Sequence, residues 1–222
     1  MVKLSRANAR LYCGTTERVA KLAPVVGVNP TNEPVYLSDV YPGLFAFFES
    51  TNGNDRFGII EIETTLLDKS NFLPCEWFLE QSSRQKAKNA REQHRRLESY
   101  RKVREKYQEK WRESLQKVGV CLYDGFIPKK AIRRITVYDP ASNPTITSAI
   151  INARISLADY KPCFPRNQAL TRWLTGGSVT VEDWLGDDLL ETPKDEREEL
   201  SERLQNKFGL DIFYHEPPAK GQ

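Results

Sequence analysis

The chain has 222 residues, 39% hydrophobic and 28% charged, with a formal net charge of +3; that length suits one substantial domain with attachments and excludes a large multidomain machine. No apolar run approaches the roughly 18 residues of a membrane span, and residues 1–6 offer no apolar signal core, so a soluble, cytoplasmic protein with no membrane partner is expected. Cys13, Cys75, Cys121 and Cys163 form no CxxC pair and the histidines are His94 and His215, which excludes a zinc site built from local pairs and fits a reducing compartment.

In chain order, residues 10–16 (RLYCGTT) read as a short strand ending in a glycine turn, with Thr15 or Thr16 placed to cap a helix over 17–22. After a loop with Pro30 and Pro34, residues 34–39 form a second strand, and Pro42 opens a small helix at 43–49. Residues 52–55 are a loop, and 57–63 (FGIIEIE) alternate apolar and acidic side chains as a half-exposed strand does. From 82 to 117 neither Pro nor Gly interrupts the chain. Ala87, Ala90, His94, Leu97, Tyr100, Val103, Tyr107, Trp111 and Leu115 recur there at steps of three and four, which predicts one long helix with His94 on its packed stripe. A strand at 118–123, a turn at Asp124-Gly125, a helical turn at 127–132 and a strand at 134–138 follow. Beyond Pro140 the pieces shorten, and a boundary is placed near 145. An amphipathic segment at 169–174, an acidic helix at 193–208, a strand at 210–214 and a disordered tail from 216 complete the reading.

The near-neutral total hides a strong division of charge. Residues 82–117 hold 13 Lys+Arg against 5 Asp+Glu, and residues 181–203 hold 3 against 10. A basic helix can neutralise several phosphates and release their counterions, which makes nucleic acid a natural partner and Arg91, Arg95, Arg96, Arg101, Lys102 and Arg104 its candidate contacts. A solvated helix face is the plain structural alternative. Pairing of the basic and acidic blocks within one molecule or across a homodimer is a third reading.

Taken in order, Tyr12-Cys-Gly-Thr, Val35-Tyr-Leu-Ser-Asp with its small helix, and Val120-Cys-Leu-Tyr-Asp-Gly resemble the core strands of the ADP-ribosyltransferase fold. The likeness is to the poly(ADP-ribose)-polymerase and diphtheria-toxin-like branch, which is related to the RNA 2′-phosphotransferases. It implies an α+β protein with a split β-sheet core in residues 1–144, the 82–117 helix as an insertion, and a small, mainly helical C-terminal addition in 145–222. It also implies NAD as substrate and transfer of ADP-ribose to a macromolecule; the basic helix makes nucleic acid the preferred acceptor over protein.

Residue by residue, Gly14 takes the position whose backbone holds the nicotinamide amide, flanked by Tyr12, Cys13 and Thr15. Tyr36 takes the first stacking position, and Phe47 or Phe48 the second. A flat ring bearing an amide is well held by two aromatic faces and backbone hydrogen bonds. The chain diverges from the branch at two motif positions, with Cys13 where the branch has His and Gly119 where it has the catalytic Glu. Candidate carboxylates are Glu61, Glu63, Glu76 and Asp124, and Asp124 is the catalytic candidate; its plain alternative is an ordinary Asp-Gly turn residue. The divergence makes a catalytically inactive module, retaining the fold and binding nucleic acid or protein, the alternative function.

Overall fold

The computed structural model describes residues 9–30, 33–49, 55–83, 88–142 and 164–175, together with positions 147, 150, 195–196, 198–199 and 202. Strand β1 (Arg10–Thr16) runs through Gly14 into helix α1 (Glu17–Val26). Of the two candidate caps, Thr16 takes the role, its Oγ1 accepting from the Val19 N–H at 3.4 Å. Strand β2 (Val35–Ser38), helix α2 (Pro42–Glu49) and strand β3 (Phe57–Glu63) follow as the sequence suggests. The short strand β4 (Phe72–Pro74) and helix α3 (Glu76–Ser82) have no counterpart in the sequence reading.

The expected single helix over 82–117 is two helices. Helix α4 (Ala90–Val103) and helix α5 (Trp111–Val118) are separated by a tighter 3-10 segment, Arg104–Lys110, in which Tyr107 leaves helical geometry (φ −118°, ψ 22°). The break turns Trp111 onto Phe72 of β4, ring centroids 4.4 Å apart. Strands β5 (Val120–Tyr123) and β6 (Ile132–Tyr138) and helix α6 (Phe164–Leu174) complete the described elements. The acidic block is described only at Asp195, Glu196, Glu198, Glu199 and Glu202, all helical and exposed. The boundary near 145, the 210–214 strand and the tail lie outside the described residues.

The six strands make one sheet, in the order β4-β5-β2-β1-β3-β6, with every pairing antiparallel. β3 is a covered strand and not the half-exposed one expected: from Phe57 to Ile62 every residue is buried, Glu61 included. Two cores flank the sheet. On one face Phe57, Ile59 and Val120 pack with Leu44 and Ala46 of α2, Phe78 of α3 and Leu170 of α6. On the other, Leu11, Leu37, Ile60 and Cys121 pack with Ala20 and Ala23 of α1 and Leu115 of α5. His94, expected on a packed stripe, is exposed, and α4 holds no buried residue. No helix among the described residues is long and apolar enough to cross a membrane.

Candidate functional site

The three motif strands are neighbours in the sheet, in the order β5-β2-β1. β2 pairs with β5 along its whole length, Val35↔Tyr123 to Ser38↔Val120. β1 pairs with β3 along its whole length, Arg10↔Glu63 to Thr16↔Phe57. Between β1 and β2, however, the ladder is the single pair Tyr12↔Ser38. Extending that antiparallel register by two residues would set Gly14 opposite Tyr36, where the strands are no longer paired. The ladder thus stops after Tyr12 and Ser38, a fork in the hydrogen bonding and not a parting of the strands, with Gly14 and Thr15 on one prong and Val35 and Tyr36 on the other.

Helix α2 covers the β1 prong. A Cβ added to Gly14 would stand 1.9 Å from the Pro42 carbonyl oxygen and 2.5 Å from the Ala46 nitrogen, so only glycine lets the helix backbone come this close. The approach brings the aromatic face of α2 to β2. Phe45, not Phe47, meets Tyr36, with ring centroids 5.5 Å apart; the two phenylalanines are two residues apart on a helix and point to different sides. Trp77 of α3 completes the cluster, 5.8 Å from Tyr36 and stacked on Phe45 at 6.0 Å. Phe47 is half-buried against the same core.

Beneath these rings lies an ionic network. The Tyr36 hydroxyl donates to Glu76 Oε1 at 2.6 Å, and Arg101 Nε donates to the same oxygen at 3.2 Å. The Glu76 side chain is 1% exposed and that of Arg101 35%, so the pair has a dry end and a wet end. Burial and then the Glu76 charge push the Tyr36 phenol far above its ordinary range, which keeps it a neutral donor. The corner that carries Glu76 is pinned by Ser114 of α5, whose hydroxyl accepts from the Cys75 N–H at 2.9 Å and donates to the Val120 carbonyl at 2.7 Å. Glu76 stood among the candidate carboxylates; its partners were hidden because they come from 40 residues before it and 25 after it.

At the two divergent motif positions the local structure is specific. Cys13 is 6% exposed and faces the α1 core; burial, helped by Glu49, pushes its thiol up to about 12, so it is a packed neutral group and no nucleophile. Gly119 ends α5 in the left-handed region (φ 71°), its N–H returning to the Leu115 carbonyl at 3.0 Å. Asp124 is exposed just past β5, its N–H donating to the Asn71 carbonyl at 2.8 Å. It stands at the open end of the fork, two strands away from β1. Thr15 lies on the prong beyond Gly14, in register with Gly58. Tyr12 sits at the closed end between Ser38 and Glu61, its phenol raised first by burial and then by Glu61.

The basic candidates divide into two groups. Arg91, Arg95 and Lys102, spaced by four and seven residues, are exposed along one stripe of α4 about 16 Å long, and none has a salt bridge among the described residues. The others are engaged within the molecule: Arg96 with Glu92 at 2.6 Å, Arg101 with Glu76 and with Glu98 at 2.7 Å, and Arg104 with Glu33 at 3.4 Å. On the sheet's other face Val19, Leu22, Val26, Val28 and Phe126 line an open apolar groove of about 480 Å³. Among the described residues no cluster of His, Cys, Asp and Glu could hold a metal ion. No family model, curated protein or solved structure matches this chain.

Proposed function

We propose that the chain binds NAD at the β1/β2 fork and is an ADP-ribosyltransferase-like protein acting on a macromolecular acceptor, with nucleic acid preferred over protein. The observation that carries this reading is the fork itself: motifs more than 100 residues apart in the chain become three adjacent strands, and the β1/β2 ladder stops at Tyr12↔Ser38, two residues short of Gly14 and Tyr36. Backbone groups freed at a split between strands are suited to an amide, and Tyr36, Phe45 and Trp77 supply flat apolar surface for the ring that bears it. The three rings pack on one another in the free protein, so a nicotinamide ring would exchange one of these contacts for its own. Glu76 and Arg101 fix the Tyr36 ring from below. In transfer, the bond between nicotinamide and the ribose C1′ breaks, nicotinamide leaves, and an acceptor oxygen or nitrogen bonds to C1′ as it gives up its proton. Asp124, at the fork's open end, is the carboxylate proposed to support the positive charge that develops on the ribose. The outward stripe of Arg91, Arg95 and Lys102 is proposed to hold the nucleic-acid acceptor.

The test is calorimetric titration with NAD, followed by incubation with labelled NAD and single-stranded DNA or RNA. Binding that Tyr36→Ala weakens at least about tenfold, with label transferred to nucleic acid and lost in Asp124→Asn, is expected. Absence of NAD binding would remove the reading. Cys13 and Gly119 favour a second one, a catalytically silent module of the same fold, because a buried neutral thiol and a left-handed helix end stand at the two divergent positions. Its signature is salt-sensitive oligonucleotide binding that proceeds without NAD and without turnover.

A further inference from the structure

Arg104 is the one buried basic residue among the described residues, at 9% exposure, and its partners are poor. Both terminal nitrogens reach the same oxygen, Glu33 Oε2, at 3.4 Å, beyond the roughly 2.7–3.2 Å of a good N–H···O bond. Its Nε is covered and has no hydrogen-bond partner among the described residues. Glu33, by contrast, has a side chain 52% exposed. A desolvated guanidinium held by one wet carboxylate at long range is under-paired, and such groups call for a reason.

Its placement supplies one. Glu33 leads into β2 three residues before Tyr36, about 10 Å along an extended chain, a span of the order of that from a nicotinamide ring across its ribose into the diphosphate. Arg101, one turn before Arg104, holds the Glu76 carboxylate that carries the Tyr36 hydroxyl. The end of α4 and the 3-10 segment after it thus approach β2 at two points, through Glu76 and through Glu33. We propose that Arg104 is the phosphate anchor of the nucleotide site, taking the diphosphate of the dinucleotide on the two nitrogens that Glu33 occupies in the free protein. This rests on the NAD reading above. A planar guanidinium matches phosphate in a two-pronged way that a carboxylate reached through a single oxygen does not use. Releasing Glu33 costs little because its charge is already half in water.

The test measures binding of inorganic pyrophosphate, ADP, NAD and nicotinamide by calorimetry to the full chain and to Arg104→Gln, Arg104→Lys and Glu33→Gln, with circular dichroism as the check of folding. Arg104→Gln should weaken pyrophosphate and ADP at least about tenfold, with Arg104→Lys between. Nicotinamide should be unaffected. Glu33→Gln removes the internal competitor and should bind both diphosphates roughly two- to fivefold tighter. If Arg104→Gln fails to fold, Glu33→Gln decides alone: unchanged or weaker binding overturns the anchor, as does absence of diphosphate binding to the full chain. NAD binding that depends on Tyr36 but ignores Arg104 and Glu33 removes the anchor and leaves the NAD reading. Diphosphate binding that depends on Arg104 while NAD and nicotinamide fail to bind keeps the anchor and removes that reading. A single-stranded oligonucleotide that shows these dependences while ADP does not would make the site one for backbone phosphates and overturn the proposal.

Discussion

At Gly14 a missing side chain decides how closely a helix backbone approaches a strand, and through that approach where the aromatic rings stand. Gly14→Ala would drive a methyl group into the Pro42 carbonyl oxygen and the Ala46 nitrogen, and since both of these belong to backbone the helix must move. A loss of about 3 kcal/mol or more is expected in urea unfolding, together with a change in near-ultraviolet circular dichroism as the rings separate; a variant as stable as the parent would show that α2 shifts freely. Tyr36 sets a second test at this scale. Tyr36→Phe keeps the ring and removes the donor to a buried carboxylate, which should cost about 1–3 kcal/mol, clearly more than breaking the exposed Lys117–Glu113 pair with Lys117→Gln. Equal losses from the two changes would mean that the Glu76 network contributes nothing special. Strands β1 and β2 were legible from the chain because their extended residues and the turns and caps that bound them are local signals. The Glu76 partnership was not, since nothing near Glu76 in sequence reveals that Tyr36 and Arg101 come to it.

The basic stretch carries the main lesson about elements. Its residues are helix formers without Pro or Gly, and local propensity therefore reads one continuous helix. The break at 104–110 comes from tertiary contact: Trp111 stacks on Phe72, and Arg104 turns inward toward Glu33. β4 was missed for a related reason, because three residues, Phe-Leu-Pro, give too few alternations to declare a strand, and their place is won by pairing with β5. The two groups of cations make different predictions. Neutralising the outward stripe with Arg91→Gln, Arg95→Gln and Lys102→Gln together should leave the unfolding midpoint unchanged and reduce the slope of log affinity against log salt for single-stranded DNA by about 2. Arg101→Gln should instead lower stability, as it leaves the buried Glu76 without its cationic partner, held by the Tyr36 hydroxyl and the Cys75 thiol. A triple variant that binds DNA with the parent's affinity and salt slope would take nucleic acid off α4.

At the scale of the whole molecule, the sheet gathers strands from both sides of the basic segment. Fold class was readable from strand and helix patterns, but strand order depends on pairings more than 80 residues apart, such as Ser38↔Val120, for which a single sequence holds no local sign. Burial on both faces of the sheet has a consequence for its thiols. Cys13, Cys75 and Cys121 are all buried, and burial before any other cause raises each above its ordinary value of 9.0. The unfolded chain gives up these protons first, so above pH 9 it binds fewer protons than the native state and stability falls as pH rises. For Cys13 the window runs from 9.0 to about 12. Each thiol removes up to about 1.4 kcal/mol per pH unit there, so the three together give a slope of up to about 4 kcal/mol per unit. Urea unfolding in the presence of a reductant should therefore give a nearly constant thiol contribution between pH 7 and 8.5 and a steep loss from pH 9 to 10.5. Cys121→Ala, whatever its effect on stability at neutral pH, should reduce that slope by about one third. A slope untouched by the substitution would assign the alkaline loss to the tyrosines, whose ordinary value lies a full unit higher.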